Sequence, residues 1–277
     1  MRYIHSVQGS FFAFVVFVIA VIFIPGKGPS DEVEIILTVS TFLLAILSGF
    51  FISRLSSRYN AIRSLVASED GYWLALYKIA ELNGKRFSDK IREKIDKYYV
   101  ACYDFDVPYA YKTSAPHFLA IYDELKKIKN PNKFKCFSSM TDYLLKIEER
   151  RNQTSVLGIE KLTKGQWGVL FLLIGIVLFS LFYLKTDAIY SQVVTVLLST
   201  VLILILLILR DLQNLRLSGA AILEESGQEV LDAIGCLRYY NHVYIDDTII
   251  PDHIKKYRLG KHKPGEKPKI VIAYNKK

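Results

Sequence analysis

Cysteine is scarce in this chain: three in 277 residues, at Cys102, Cys136 and Cys236. So widely spaced, they offer neither a disulfide framework nor a paired-thiolate zinc site, and are expected as reduced thiols packed in helices. The five histidines, His5, His117, His242, His253 and His262, show no ligand spacing with Cys or carboxylate, so no metal site is expected. No glycine-rich phosphate loop opens a helix, and no Ser, His and Asp arrangement has a recognisable context. Nothing therefore points to an enzyme, and no cofactor is implied. The acidic pairs Glu148 and Glu149, Glu224 and Glu225, Asp246 and Asp247 read as solvated faces, because adjacent carboxylates on a helix point apart.

Charge is missing from four stretches: Phe11 to Ile24, Ile35 to Ile52, Gln166 to Leu184 and Ser191 to Leu209. The last three have the ~18 residues needed to cross hydrocarbon, and the first reaches a workable length when counted from Ile4. One Lys or Arg at bilayer centre costs about 2.5–3.5 kcal/mol on insertion scales, so four such windows in a Lys- and Arg-rich chain imply four transmembrane helices. The first run has a single Arg2 before it and IFIPGKGPS after it, without a small-x-small cleavage pattern, so it is expected to be retained as a span. The spans hold no ionisable group, which removes the usual signature of a proton relay, and no broken helix or repeat marks a solute carrier.

What charge there is lies between the spans. The first link, PGKGPSDEVE, has one Lys against Asp31, Glu32 and Glu34, and the last link, KTDAIY, is neutral. The middle segment from Ser53 to Gly165 carries 21 Lys and Arg against 14 acids. The positive-inside bias thus places that segment and both termini in the cytoplasm. The net charge of +9 is accounted for by this bias, so no nucleic acid partner is expected; anionic lipid headgroups are the ordinary partners of such charges. Trp167, at the start of the third span, stands where an interfacial anchor belongs.

The spacing predicts an all-α integral membrane protein with four transmembrane helices and a helical cytoplasmic domain. Its expected parts are spans one and two in 1–53, a helical domain in 54–165, spans three and four in 166–210, a helical extension in 211–259 and a basic tail in 260–277. The second helix runs on past the membrane to Asn83 and Gly84. Ser88 and Asp89 are expected to cap the next helix, which Pro108 ends; Ser114 and Pro116 start another, closed by Asn130 and Pro131. A further amphipathic run from about Ser139 leads to the third span. Beyond the fourth span a helical rhythm continues through Leu212, Leu215, Ala220, Leu223, Val230 and Ile234, predicting a second long rod. The tail, rich in Lys, Pro and Gly around IVIAY, is expected to be loosely attached.

One stretch carries a resemblance. SGFFISRLSSRYNAIRSLVASED, with Arg54, Arg58, Tyr59, Arg63 and Glu69, follows the second span; Arg150 and Arg151 precede the third; Asp211 and Gly219 follow the fourth, with NLRL where a Pro and Phe would be expected. In order and spacing, residues 10–240 resemble the bestrophin-like family of bacterial membrane proteins, remotely related to the bestrophin channels. That resemblance implies a homopentamer whose second span lines a central pore, narrowed at i, i+4 and i+8. Carried onto this chain from Arg54 and Tyr59, the constriction falls at Thr38, Phe42 and Ile46, one helical face. Thr38 departs from the pattern by replacing an apolar ring with hydroxyls. Packing between helices is the alternative use of such a row, and Thr41, Ser48 and Gly49 would serve pore lining or small-residue contacts equally well. The acidic cluster that bestrophin channels place after the fourth span has no clear counterpart in LRDLQNLRLSGAAILEE.

The resemblance implies an ion channel of the bacterial inner membrane, self-associating, with permeating ions and membrane lipids as its other partners. Arg54, Arg58, Arg63, Arg150 and Arg151 would line a cytoplasmic vestibule or mark the membrane boundary, tilting selectivity weakly toward chloride. The alternative is a membrane-anchored interaction or scaffold protein that uses its basic helical domain.

Overall fold

The computed structural model describes residues 6–105, 107–216, 227–243, 250–263 and 265–275. Among them the elements are α1 (Ser6–Phe23), α2 (Asp31–Glu81), α3 (Lys85–Tyr103), α4 (Val107–Lys126), a 3-10 turn (Pro131–Lys133), α5 (Phe137–Ile159), α6 (Lys164–Leu184), α7 (Ile189–Gln213), α8 (Gln228–Ala233), β1 (Tyr239–Asn241), β2 (Lys256–Gly260) and β3 (Ile270–Tyr274). Four of them, α1, α2, α6 and α7, are long and apolar enough to cross a membrane. Each is built on one of the four stretches without charge. The chain divides into two compact units, 1–59 with 161–219 and 60–160 with 220–277.

In the first unit α1 lies along α7, and α6 packs on α7. Leu44, Phe51 and Leu55 of α2 meet Leu170, Ile174 and Val177 of α6 and Leu206 and Leu209 of α7 in one core. Ser40, Ser48, Ser180, Thr195 and Ser199 of the same helices are also buried. In lipid, association rests on such close packing of small residues, because hydrocarbon tails are as apolar as leucine.

Polar clamps close both ends of this unit. At one end Ser6 N donates to Asp211 Oδ2 at 3.1 Å, so a carboxylate meets the first turn of α1, where the helix dipole favours it. At the same end Arg58 Nη1 donates to the Gln213 carbonyl at 3.1 Å. Gln213 Oε1 accepts from Leu162 N and Trp167 Nε1, each at 3.0 Å, and Thr163 and Gln166 form a capping box that starts α6. At the other end the buried Lys185 Nζ donates to Val21 O at 2.9 Å, in the last turn of α1. A Cβ on Gly26 would lie 1.9 Å from the Lys185 carbonyl oxygen. Gly26→Ala is therefore expected to lower stability by about 1–3 kcal/mol, the usual cost of overpacking, read as an earlier thermal transition in detergent.

α7 does not continue as the rod expected from its sequence. It stops at Gln213: Leu215 takes φ 56°, and Arg216 N donates to Asp211 O at 2.9 Å. This is a Schellman-type stop with leucine at the position that glycine usually fills. Periodicity missed it because the stop comes from backbone closure and not from a breaker residue. Val230 lies in the short α8 and Ile234 just after it. Ala220 and Leu223 lie outside the described residues, as do Gly219 and the pairs Glu224 with Glu225 and Asp246 with Asp247.

In the second unit α3 packs on α4, and α4 on α5. Here α2 buries Ile62, Val66, Glu69, Trp73, Leu76 and Ala80, and α5 buries Met140, Leu144, Ile147, Arg151 and Thr154. Both rows follow the i, i+3, i+4 spacing of a core face. Three boundaries differ from expectation. α3 begins at Lys85, after Gly84 at φ 96°, so Ser88 and Asp89 lie inside it. α3 ends at Tyr103, and Pro108 falls in the first turn of α4, where a missing N–H costs nothing. Pro116 lies within α4; burial of Ala110, Tyr111 and Ser114 carries the helix back beyond the start that Ser114 and Pro116 marked.

The basic tail is part of this unit's structure. β2 pairs in parallel with β1 and antiparallel with β3, with Tyr239 opposite Arg258 and Arg258 opposite Ile272. A three-stranded sheet is thus added to the expected all-α architecture. Asp104, just past the end of α3, holds it: Oδ1 accepts from Tyr239 Oη at 2.6 Å and Asn241 Nδ2 at 2.8 Å, and Oδ2 meets His262 Nε2 at 2.9 Å. Arg258 adds a two-pronged bond to Asp96 at 2.8 and 2.5 Å. Of the cysteines, which are all free, Cys102 is buried and its thiol is pushed up to about 12, chiefly by burial. Cys136 is exposed, in the left-handed region at the N-cap of α5, and Cys236 follows α8; neither is packed in a helix as expected.

Candidate pore-lining face and buried acid of the second helix

α2 carries two groups of residues of functional interest, one in each unit. In the first unit its buried side is the row Ser40, Leu44 and Ser48, joined by Phe51 and Leu55. Thr38, Phe42 and Ile46 lie on the opposite side. Phe42 is 65% exposed and Ile46 53% exposed, so neither is used by the packing of its own chain. The Thr38 hydroxyl donates its proton to Glu34 O at 2.8 Å, so its oxygen faces outward as an acceptor. Ser48 is buried, Thr41 is half-buried and bonds back to Leu37 O at 2.6 Å, and Gly49 has open space where a Cβ would stand.

The five arginines separate. Arg54 and Arg63 are exposed and Arg150 is half-buried, with Nη1 donating to Gln153 Oε1 at 3.0 Å. Arg58 is buried and spends a donor on the end of α7. Arg151 is buried, with Nη2 donating to the Tyr111 carbonyl at 2.9 Å. Its guanidinium lies 4.2 Å from the Phe118 ring centre and 4.9 Å from that of Tyr98, a cation–π cage. Arg58 and Arg151 are thus interior groups. A carbonyl meets the Arg58 guanidinium, and a carbonyl and aromatic rings meet that of Arg151.

In the second unit, Glu69 sits seventeen positions past Ile52, where the charge-free run ends. It is buried and surrounded by donors: Trp73 Nε1 at 3.1 Å and Tyr98 Oη reach Oε1, and Tyr111 Oη reaches Oε2 at 3.0 Å. Burial drives its carboxyl up to about 7; the Tyr98 bond pulls it down, neighbouring Asp70 pushes it up, and Arg151 pulls it down. Burial likewise raises Tyr98, Tyr99, Tyr103 and Tyr111. Asp70 accepts from Tyr99 Oη at 2.7 Å and from Gly227 N at 2.9 Å. A Cβ on Gly227, which has φ 75°, would stand 2.1 Å from the Tyr99 ring. Glu69 was legible in sequence only as one letter of a motif. The better signal was its register: an acid between Val66 and Trp73 occupies a core position of the helix. Among the described residues no three His, Cys, Asp or Glu side chains gather as a metal site would require.

Residues 9–214 match the Bestrophin-like domain. No curated protein matches the sequence. Among solved structures, a membrane protein crystallised with a glycine-to-alanine substitution is similar at 14% identity and TM-score 0.59, covering 82% of this chain and 98% of its own. A bacterial bestrophin homologue from Klebsiella pneumoniae, with a tyrosine-to-alanine substitution, is similar at 13% identity and TM-score 0.55, covering 82% of this chain and 96% of its own. The fold and its four apolar helices are those of a multi-pass membrane protein of bestrophin type. The chain belongs to the Bestrophin-like family.

Proposed function

We propose that the chain is the subunit of a homopentameric ion channel of the bacterial inner membrane, with both termini cytoplasmic and α2 lining the pore. Family membership supports an ion-conducting kind of function. The observation that carries the pore reading is the position of Thr38, Phe42 and Ile46 on the side of α2 that its own subunit leaves uncovered. Five copies would ring the axis with phenylalanine and isoleucine. Rings of this kind gate by dewetting, since a pore a few Å wide without charges to hold water empties. Arg54, Arg63 and Arg150 would make the cytoplasmic side weakly anion-attracting. That preference is opposed on the other side by Asp31, Glu32 and Glu34 in the first turn of α2, and the Thr38 ring has no free proton to offer an anion.

Stoichiometry in mild detergent, together with flux from purified protein in liposomes, tests this reading. A stable monomer with no leak would replace it with the membrane-anchored scaffold. Phe42→Ala is expected to raise flux at unchanged stoichiometry, because it widens the narrowest ring. Unchanged flux from well-folded protein would move the constriction off this face.

A further inference from the structure

We propose that Glu69 is a proton-operated switch in the second unit, exchanging a neutral, packed core for a charged, hydrated one. Its effect on flux rests on the pore reading of α2; the switch itself does not.

The geometry has three parts. First, every hydrogen-bonding group placed on the Glu69 carboxyl is a donor: Trp73 from α2, Tyr98 from α3 and Tyr111 from α4. An ionised carboxylate accepts all three, whereas a protonated one brings an O–H of its own, which needs an acceptor: a tyrosine hydroxyl turned round or a water in the adjoining cavity. The two states therefore require different hydrogen bonding around the carboxyl. Second, the charges facing this carboxyl nearly oppose one another. Asp70 on α2 disfavours ionisation and Arg151 on α5 favours it, while Cys102 and the buried tyrosines of α3 stay neutral because burial raises them. Third, a cavity of about 20 Å³ lies against Glu69, Asp70 and Tyr99, room for one water beside a newly formed charge.

The switch also has an output. Asp70, next in sequence, holds Gly227 N at the entry to α8, so charging Glu69 adds repulsion to the acceptor that fixes this segment. Glu69 also belongs to the same uninterrupted helix as Thr38, Phe42 and Ile46, so a change in its packing acts on the proposed pore helix without any intervening loop.

The test uses full-length protein in detergent, followed by tryptophan fluorescence from pH 5 to pH 9. Trp73 donates directly to Glu69, and Trp167 supplies a signal common to all variants. Wild type is expected to show a transition with its midpoint about 7. Glu69→Gln, which keeps the shape and removes the proton, is expected to lose it. Tyr111→Phe removes one donor to the charged form and is expected to move the midpoint up by about one unit. A flat wild-type profile overturns the proposal, as does a transition that survives in Glu69→Gln or a Tyr111→Phe midpoint that stays or falls. In liposomes, wild-type flux is expected to change across the same midpoint and Glu69→Gln flux to stay level. Flux that ignores pH while fluorescence titrates overturns the coupling to the pore. Fluorescence that titrates in a protein with no flux at any pH leaves the switch standing and removes the channel reading.

Discussion

Asp104→Ala is expected to release the C-terminal sheet from α3 while the four spans stay folded. The substitution strips a shared acceptor from Tyr239, Asn241 and His262, all buried. Losing one partner of a buried ionic hydrogen-bond network costs about 3–5 kcal/mol, because the donors left behind remain desolvated and unpaired. Asp104→Asn should cost less, since its amide oxygen still accepts from one side. Hydrogen exchange reads this directly: amides of Lys256–Gly260 and Ile270–Tyr274 should lose protection in Asp104→Ala, with those of α6 and α7 unchanged. Unchanged protection in the strands would show that β2 and β3 are held by other contacts, such as Arg258 on Asp96.

The second large effect is on stability as a function of pH. The Glu69 carboxyl is raised from 4.5 to about 7 in the folded chain, so between those values the folded state holds a proton that the unfolded state has given up. Stability therefore falls as pH rises through that window, by about 3 kcal/mol in total at 1.36 kcal/mol per unit. Other carboxylates titrate too, so the informative quantity is the difference between wild type and Glu69→Gln in unfolding free energy. Glu69→Gln should gain on wild type from pH 5 to pH 8. A constant difference would show that Glu69 is already ionised at pH 5, held charged by Arg151.

The membrane half of the fold was legible because lipid leaves an unambiguous trace: charge-free runs of spanning length can be read without knowing their neighbours. The uninterrupted exit of α2 was legible for a related reason, since no proline or turn cluster separates Ile52 from Arg63. Elements fixed by tertiary bonds were not. Nothing local announces that Leu215 turns left-handed, or that Pro116 sits within a helix secured by the burial of its neighbours. The tail read as loose because its lysines are many and its apolar run short, yet strand pairing and one distant carboxylate order it. For the site, the face bearing Thr38, Phe42 and Ile46 could be located by register alone. Arg58 and Arg151 could not be assigned, because a basic residue beside a membrane looks the same whether it meets water or an aromatic cage.

The interleaving of the two units also sets an order of assembly. The second unit takes residues 60–160 and 220–277, and the segment between them contains the third and fourth spans. Asp104 waits for Tyr239, made 135 residues later, and for His262, made 158 residues later. Domains tend to fold as the chain emerges from the ribosome, but this unit cannot finish until both later spans have been synthesised. Asp96 and Asp104 wait without their partners until the segment from Tyr239 to His262 has been translated.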